Sequence, residues 1–182
     1  GGMAELISVP FILVCAWSLG DIVDQMGTSE FLIHIVENYL TPGLVPGLIF
    51  LFGAFISFAT GSSWGVWSIM MPIAIPMAIA FDLSIPYVVA SVIGGGLFGD
   101  QCSPISDTTV MSSTGASCNH VVHVMTQLPY GITVGVSAFI GFLFGGLSGQ
   151  YILSIGVTAV ILLIALFALT KLSRIRHPEV IH

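Results

Sequence analysis

Positive charge is what this sequence has least of. Three Lys and Arg stand against nine Asp and Glu in 182 residues, and all three (Lys171, Arg174 and Arg176) fall in the last dozen positions. Nucleic-acid binding needs a basic footprint, so that class is excluded. Charge of either sign is scarce: 7% of residues, where soluble domains carry about a quarter. An ordinary soluble domain is excluded as well. Cysteine is rare, and Cys15, Cys102 and Cys118 lie in apolar or small-residue surroundings, which argues against a disulfide framework. The opening "GGMAELISVP" has no basic flank and no small-residue cleavage site, so it does not read as a signal peptide. It reads instead as though partway into a helix, and a start at Met3 is the weaker reading.

What is there is apolar. Hydrophobic residues make up 55% of the chain and the mean hydropathy is +1.05, arranged in long repeated runs. Since about 20 apolar residues cross a bilayer core, the chain reads as an all-α polytopic membrane protein. Residues 4–23 form one expected span with Pro10 as a kink and Asp21 near its end, and 29–40 form a short interfacial helix with Glu30 and Glu37 on one face. Residues 43–59 are apolar and end in "TGSSWG" at 60–65. The next run, 66–81, looks too short and too proline-rich for an untroubled span. Residues 85–98 lead into a polar stretch at 99–115, residues 116–128 are mixed, and 129–147 and 151–170 are two ordinary spans. The basic cluster after the last run places the C-terminus in the cytoplasm by the positive-inside rule. Gly131/Gly135, Gly141/Gly145 and Gly145/Gly149 give the last two spans small faces for close packing.

Oxygen is concentrated in "GDQCSPISDTTVMSSTG" (99–115), with two aspartates and seven Ser or Thr hydroxyls. Gly94, Gly95, Gly96 and Gly99 are expected to loosen the preceding helix, and Pro104 removes a backbone donor. Discontinuous helices of this kind form ion and substrate sites in secondary transporters. Asp100 and Asp107 supply anionic oxygen, and Ser103, Ser106, Thr108 and Thr109 neutral oxygen, a donor set suited to a small hard cation. An aspartate at a bilayer centre costs roughly 3 kcal/mol, and no basic partner precedes residue 171. The competing reading is a solvated loop outside the membrane. A second break, Thr60, Gly61, Ser62 and Ser63, either faces the same cavity as the tip of a re-entrant pair or is a plain loop capped by Ser or Thr. Asp21 is a candidate for a further carboxylate facing the cavity.

Gly61-Ser62-Ser63-Trp64-Gly65 also matches the G-x-S-x-G nucleophile elbow. With His120 or His123 as base it would make an intramembrane serine hydrolase. The elbow needs a strand before it, and the preceding residues do not read as one. Cys102, Asp107, Cys118, His120 and His123 fit no compact zinc spacing.

The run "GGGLFGDQCSPISDTTVMSSTGASCNHVVHVMTQLPY" (94–130) closely resembles the NhaC-type Na+/H+ antiporter family, and "FATGSSWGVWSIMMPIAIPMA" (58–78) resembles that family's second signature. The resemblance implies a bacterial or archaeal inner-membrane secondary transporter built of inverted repeats with broken helices. This chain would be the C-terminal portion of a protein more than twice as long, its 182 residues one transmembrane domain completed by a missing N-terminal half. It implies exchange of Na+ for H+, with relatives that couple these ions to malate, lactate or other small organic solutes. The signature falls on Gly99, Asp100, Cys102, Ser103, Pro104, Ser106, Asp107, Thr108 and Thr109, and on Thr60, Ser62, Ser63 and Trp64. Na+ would sit at Asp100 and Asp107. The expected partners are the lipid bilayer, Na+ and H+, with no cofactor, and a homo-oligomer is compatible with the reading. The sequence departs from the family pattern at Gln101, where His is common, and at Asn119, Val122 and Met125, where charged residues are frequent. Those four neutral positions leave room for a substrate other than Na+.

Overall fold

A computed structural model of the chain describes residues 41–176 without interruption, together with Val14, Ser18, Ile22, residues 25–27, Phe31, Ile33 and His34. Most of the expected span at 4–23, Asp21 included, and most of segment 29–40 lie outside the described residues. Six helices follow a short 3-10 turn at Pro42–Leu44: α1 (Val45–Thr60), α2 (Ser63–Ala80), α3 (Ile85–Cys102), α4 (Asp107–Gly115), α5 (His120–Ser148) and α6 (Tyr151–Arg176). Among the described residues, four stretches are long and apolar enough to cross a membrane: Pro42–Thr60, Ser63–Ala80, His120–Ser148 and Tyr151–Lys171. The chain is an all-helical polytopic membrane protein with broken segments.

The helix ends follow local chemistry. Pro46 and Pro86 stand in the first turns of α1 and α3, where a missing N–H costs nothing. Ser62 caps α2, Ser106 caps α4 and Asn119 caps α5, each side-chain oxygen accepting from an N–H of the first turn, as expected for these residue types. Gly61 ends α1 in the left-handed region at φ +67, and Gly149 ends α5 at φ +68.

Three expectations are corrected. Residues 66–81 are not a troubled span, because α2 starts earlier, at Ser63, and runs through Pro72 and Pro76. Residues 116–128 and 129–147 are not separate either, since α5 runs from His120 through Pro129 to Ser148. Interior prolines are tolerated in membrane helices where neighbouring groups relieve the freed carbonyls. The turns on each side of Pro129 carry extra hydroxyl bonds, Thr126 donating to Val122 O and Thr133 to Pro129 O at 2.7 Å. The third correction concerns the glycines of 94–99. They lie inside a continuous helix, and their role is contact. A Cβ on Gly95 would strike the Phe50 carbonyl, and one on Gly99 the Ala54 carbonyl. Two helices thus meet backbone to backbone.

That contact sets the architecture. Phe50 meets Gly95, Ala54 meets Gly99, and the Ser103 hydroxyl bonds Phe58 O, so α1 and α3 run parallel and end at one level. Trp67 abuts Gly96 and Ser63 reaches Asp100, so α2 runs antiparallel to both. The core between these three helices holds Val45, Ile49, Val66, Met70, Ala74, Met77, Ala78, Val88 and Val92. Helix α5 packs on α3 through Gly131 against Cys102 and Gly135 against Phe98, with Phe142 5.3 Å from Phe50, ring centre to ring centre. Gly141 admits Thr158 of α6. The small faces expected of the last spans are therefore used, Gly149 excepted, which has open space beside it.

Candidate functional site

The two breaks meet. Gly61, left-handed, presents the side where a Cβ would lie 2.7 Å from Ile105 O, so the turn needs glycine both for its φ and for the close approach. From the other side, the Ser103 hydroxyl donates to Phe58 O at 2.8 Å, satisfying a carbonyl in the last turn of α1 that has no helical partner. Breaks about 40 residues apart in sequence are thereby stitched into one polar layer.

At the centre of this layer is Asp100, 4% exposed, in the last turn of α3. Ser106 donates to its Oδ1 at 2.6 Å. Thr108 donates to Oδ2 at 3.3 Å and Ser63 to Oδ2 at 3.4 Å. Ser106 and Thr108 hydroxyls lie 2.8 Å apart. Ser63 is the first residue of α2, and Thr108 the second of α4. Two helix N-termini, each carrying a partial positive charge, therefore converge on a buried carboxylate in a chain with no Lys or Arg before residue 171. A buried charge without pairing is prohibitively costly. Here three hydroxyl donors and two helix termini offset that cost.

The expected residues divide. Asp100, Ser63, Ser106 and Thr108 form the cluster. Ser103 is fully buried beside it and holds the breaks together. Thr109 is buried and gives its N–H to Ser106 as the capped group. Ser62 serves as a cap, accepting from Gly65 N at 3.4 Å, and Thr60 turns back onto Ile56 O at 2.9 Å in its own helix. Asp107 is exposed in the first turn of α4 and has no hydrogen bond to the cluster among the described residues. The two aspartates have different surroundings, one enclosed and one open. Ser57 was not singled out in sequence. It is fully buried and donates to Gly96 O at 2.6 Å, one turn from Asp100 along α3.

The hydrolase arrangement lacks its parts. Ser63 follows a helix, and its hydroxyl donates to Asp100. The ring nitrogens of His120 lie 3.1 Å from the Ser113 hydroxyl and 2.7 Å from Pro104 O. Among the described residues no group of three or more His, Cys, Asp or Glu could hold a metal ion.

Residues 1–147 match the Na+/H+ antiporter family. That match covers both breaks and the whole Asp100 cluster. The chain belongs to the Na+/H+ antiporter family. An uncharacterized protein of Haemophilus influenzae is 40% identical over 172 residues, 93% of this chain and 33% of that protein. The malate-2H+/Na+-lactate antiporter of Bacillus subtilis is 27% identical over 150 residues, 80% of this chain and 32% of the relative. The arginine/ornithine antiporter ArcD of Halobacterium salinarum is 27% identical over 135 residues, 74% of this chain and 27% of that protein. The chain thus spans about a third of the length of these relatives. No solved structure matches it.

Proposed function

We propose that this chain carries the cation site of a secondary exchanger, most simply one that exchanges Na+ for H+, with Asp100 as the carboxylate that holds either ion. The observation that supports it is a buried aspartate, without a basic partner, enclosed by three hydroxyls from two helix breaks. A hydroxyl both donates and accepts. Around a bare carboxylate the three donate, and around a bound cation they turn their lone pairs inward and complete an oxygen shell. A proton on the carboxylate and a cation beside it compete for the same oxygens. If the site opens to one side of the membrane at a time, that competition couples the two fluxes. Asp107, open at the start of α4, serves at the approach to the site. The chain acts within a longer carrier of the inverted-repeat kind.

Family membership supports secondary transport. The names of two relatives, for malate with lactate and for arginine with ornithine, favour a second reading in which the same cavity also takes a small organic solute. In that case the N-termini of α2 and α4 would bind its carboxylate.

The test is Na+-driven proton flux in proteoliposomes of the longer carrier that contains this chain. Removing a unit charge about 4 Å from a cation costs about 4 kcal/mol at an effective dielectric near 20, nearly three decades in affinity. Asp100→Asn is expected to lower flux at least 100-fold with the protein still folded in detergent. Undiminished flux in Asp100→Asn would remove the carboxylate from this role.

A further inference from the structure

The Ser103–Ser106 break carries Ser106, the closest partner of Asp100, and its own turn is held only by long bonds, Ser106 N to Ser103 O at 3.4 Å and Ile105 N to Ser103 Oγ at 3.3 Å. Each residue is also held from outside. Ser103 is tied to α1 through Phe58 O, Ile105 is pressed against Gly61, and Ser106 bonds the carboxylate. Pro104 is held by His120, the first residue of α5.

We propose that His120 is a positioning residue for the Asp100 cluster, fixing the break so that Ser106 stays within bonding distance of the carboxylate. This rests on the reading of Asp100 as the ion site. The Pro104 carbonyl can only accept, so Nε2 of His120 carries a hydrogen and donates it across 2.7 Å. The other ring nitrogen lies 3.1 Å from the hydroxyl of Ser113, a residue 1% exposed near the end of α4. One imidazole therefore ties the entrance of α4 to its last turns and both to α5.

Ser113 makes the tie indifferent to the charge on the ring. Its hydroxyl also lies 3.0 Å from Val110 O. With a neutral ring, Nδ1 accepts the Ser113 proton. With a charged ring, Nδ1–H donates to Ser113 Oγ, whose own proton then goes to Val110 O. A rotation of one hydroxyl keeps both imidazole bonds in either state. The sensitivity of the cluster to this tie is high, because a shift of about 1 Å takes a 2.6 Å bond from Ser106 to Asp100 out of hydrogen-bond range.

Na+-driven proton flux by the longer carrier that contains this chain, measured against Na+ concentration, tests the proposal. Weakening a hydrogen bond to a charged group by this displacement raises half-saturating Na+ about tenfold, so His120→Ala is expected to show that rise with maximal rate within about twofold of wild type. His120→Gln is expected to restore half-saturation, since its amide can donate to Pro104 O and accept from Ser113. Unchanged half-saturation in His120→Ala, or a Gln variant indistinguishable from Ala, overturns the proposal. Should His120→Ala fail to fold, Ser113→Ala keeps the Pro104 bond and removes only the second tether. A rise of about threefold is expected there, and no rise overturns the idea. Full activity in Asp100→Asn in the same assay would instead sink the ion-site reading, an outcome separate from any seen at His120.

Discussion

Ser106 and Ser62 are chemically the same device at two helix starts, and comparing them isolates the bond to the carboxylate. Each caps its helix across 3.4 Å, Ser62 to Gly65 N and Ser106 to Thr109 N. Only Ser106 also donates to Asp100, at 2.6 Å, from a fully buried position. Ser62→Ala should therefore remove a cap alone, about 1 kcal/mol. Ser106→Ala should remove a similar cap together with a hydrogen bond to a charged group, a further 1.5–3 kcal/mol or so. For a chain of this size roughly 2–4 °C accompanies each kcal/mol, so the melting temperature of Ser106→Ala in detergent should fall about 5 °C further than that of Ser62→Ala. Half-saturating Na+ should rise at least tenfold in Ser106→Ala, as 1.5 kcal/mol implies, and stay near wild type in Ser62→Ala. Equal melting temperatures and equal Na+ dependence in the two variants would show that the short bond contributes nothing, and the cluster would lose its claim to be a site.

Two further outcomes follow from the geometry. Gly99→Ala drives a methyl group into the Ala54 carbonyl and to within 2.7 Å of Phe58 N, so it should destabilise by at least 1–3 kcal/mol. Gly115→Ala, with nothing within 4 Å, should be neutral or stabilising by up to about 1 kcal/mol, and thermal unfolding of the pair in detergent checks both. Asp107→Asn alters an exposed carboxylate outside the cluster, where charge interactions are weak. Half-saturating Na+ should change less than about threefold, and abolished exchange would instead make both aspartates essential.

Much of the fold was legible because membrane helices announce themselves by composition, and both breaks were visible as hydroxyls between apolar arms. Asp100 and Asp107 stand out together for a physical reason, as carboxylates with no Lys or Arg before residue 171. Asp107 looked equivalent because its neighbours are equally rich in hydroxyls. Its exposure depends on which face of α4 turns inward, and a nine-residue helix without a strong apolar stripe does not declare that. The glycines at 94–99 suggest a loosened helix in the sequence, whereas in the fold they bring a neighbour close. Hydropathy cannot separate these roles, since both need only the absence of a side chain. Ser57 is silent in the sequence because a lone serine within an apolar run leaves no pattern. His120 was legible only as a residue type, its meaning depending on a carbonyl 16 positions away.

The backbone contact between α1 and α3 carries a mechanical consequence. With Phe50 and Ala54 carbonyls seated against Gly95 and Gly99, no side chain lies between the two backbones at those two points to act as a bearing. Displacing one along the other by a helical turn would bring Ser91 or Ser103 to positions where only hydrogen fits. The pair is therefore one stiff beam, stitched at its end by Ser103, and a rearrangement that changes access to Asp100 has to move the beam whole or move what leans on it.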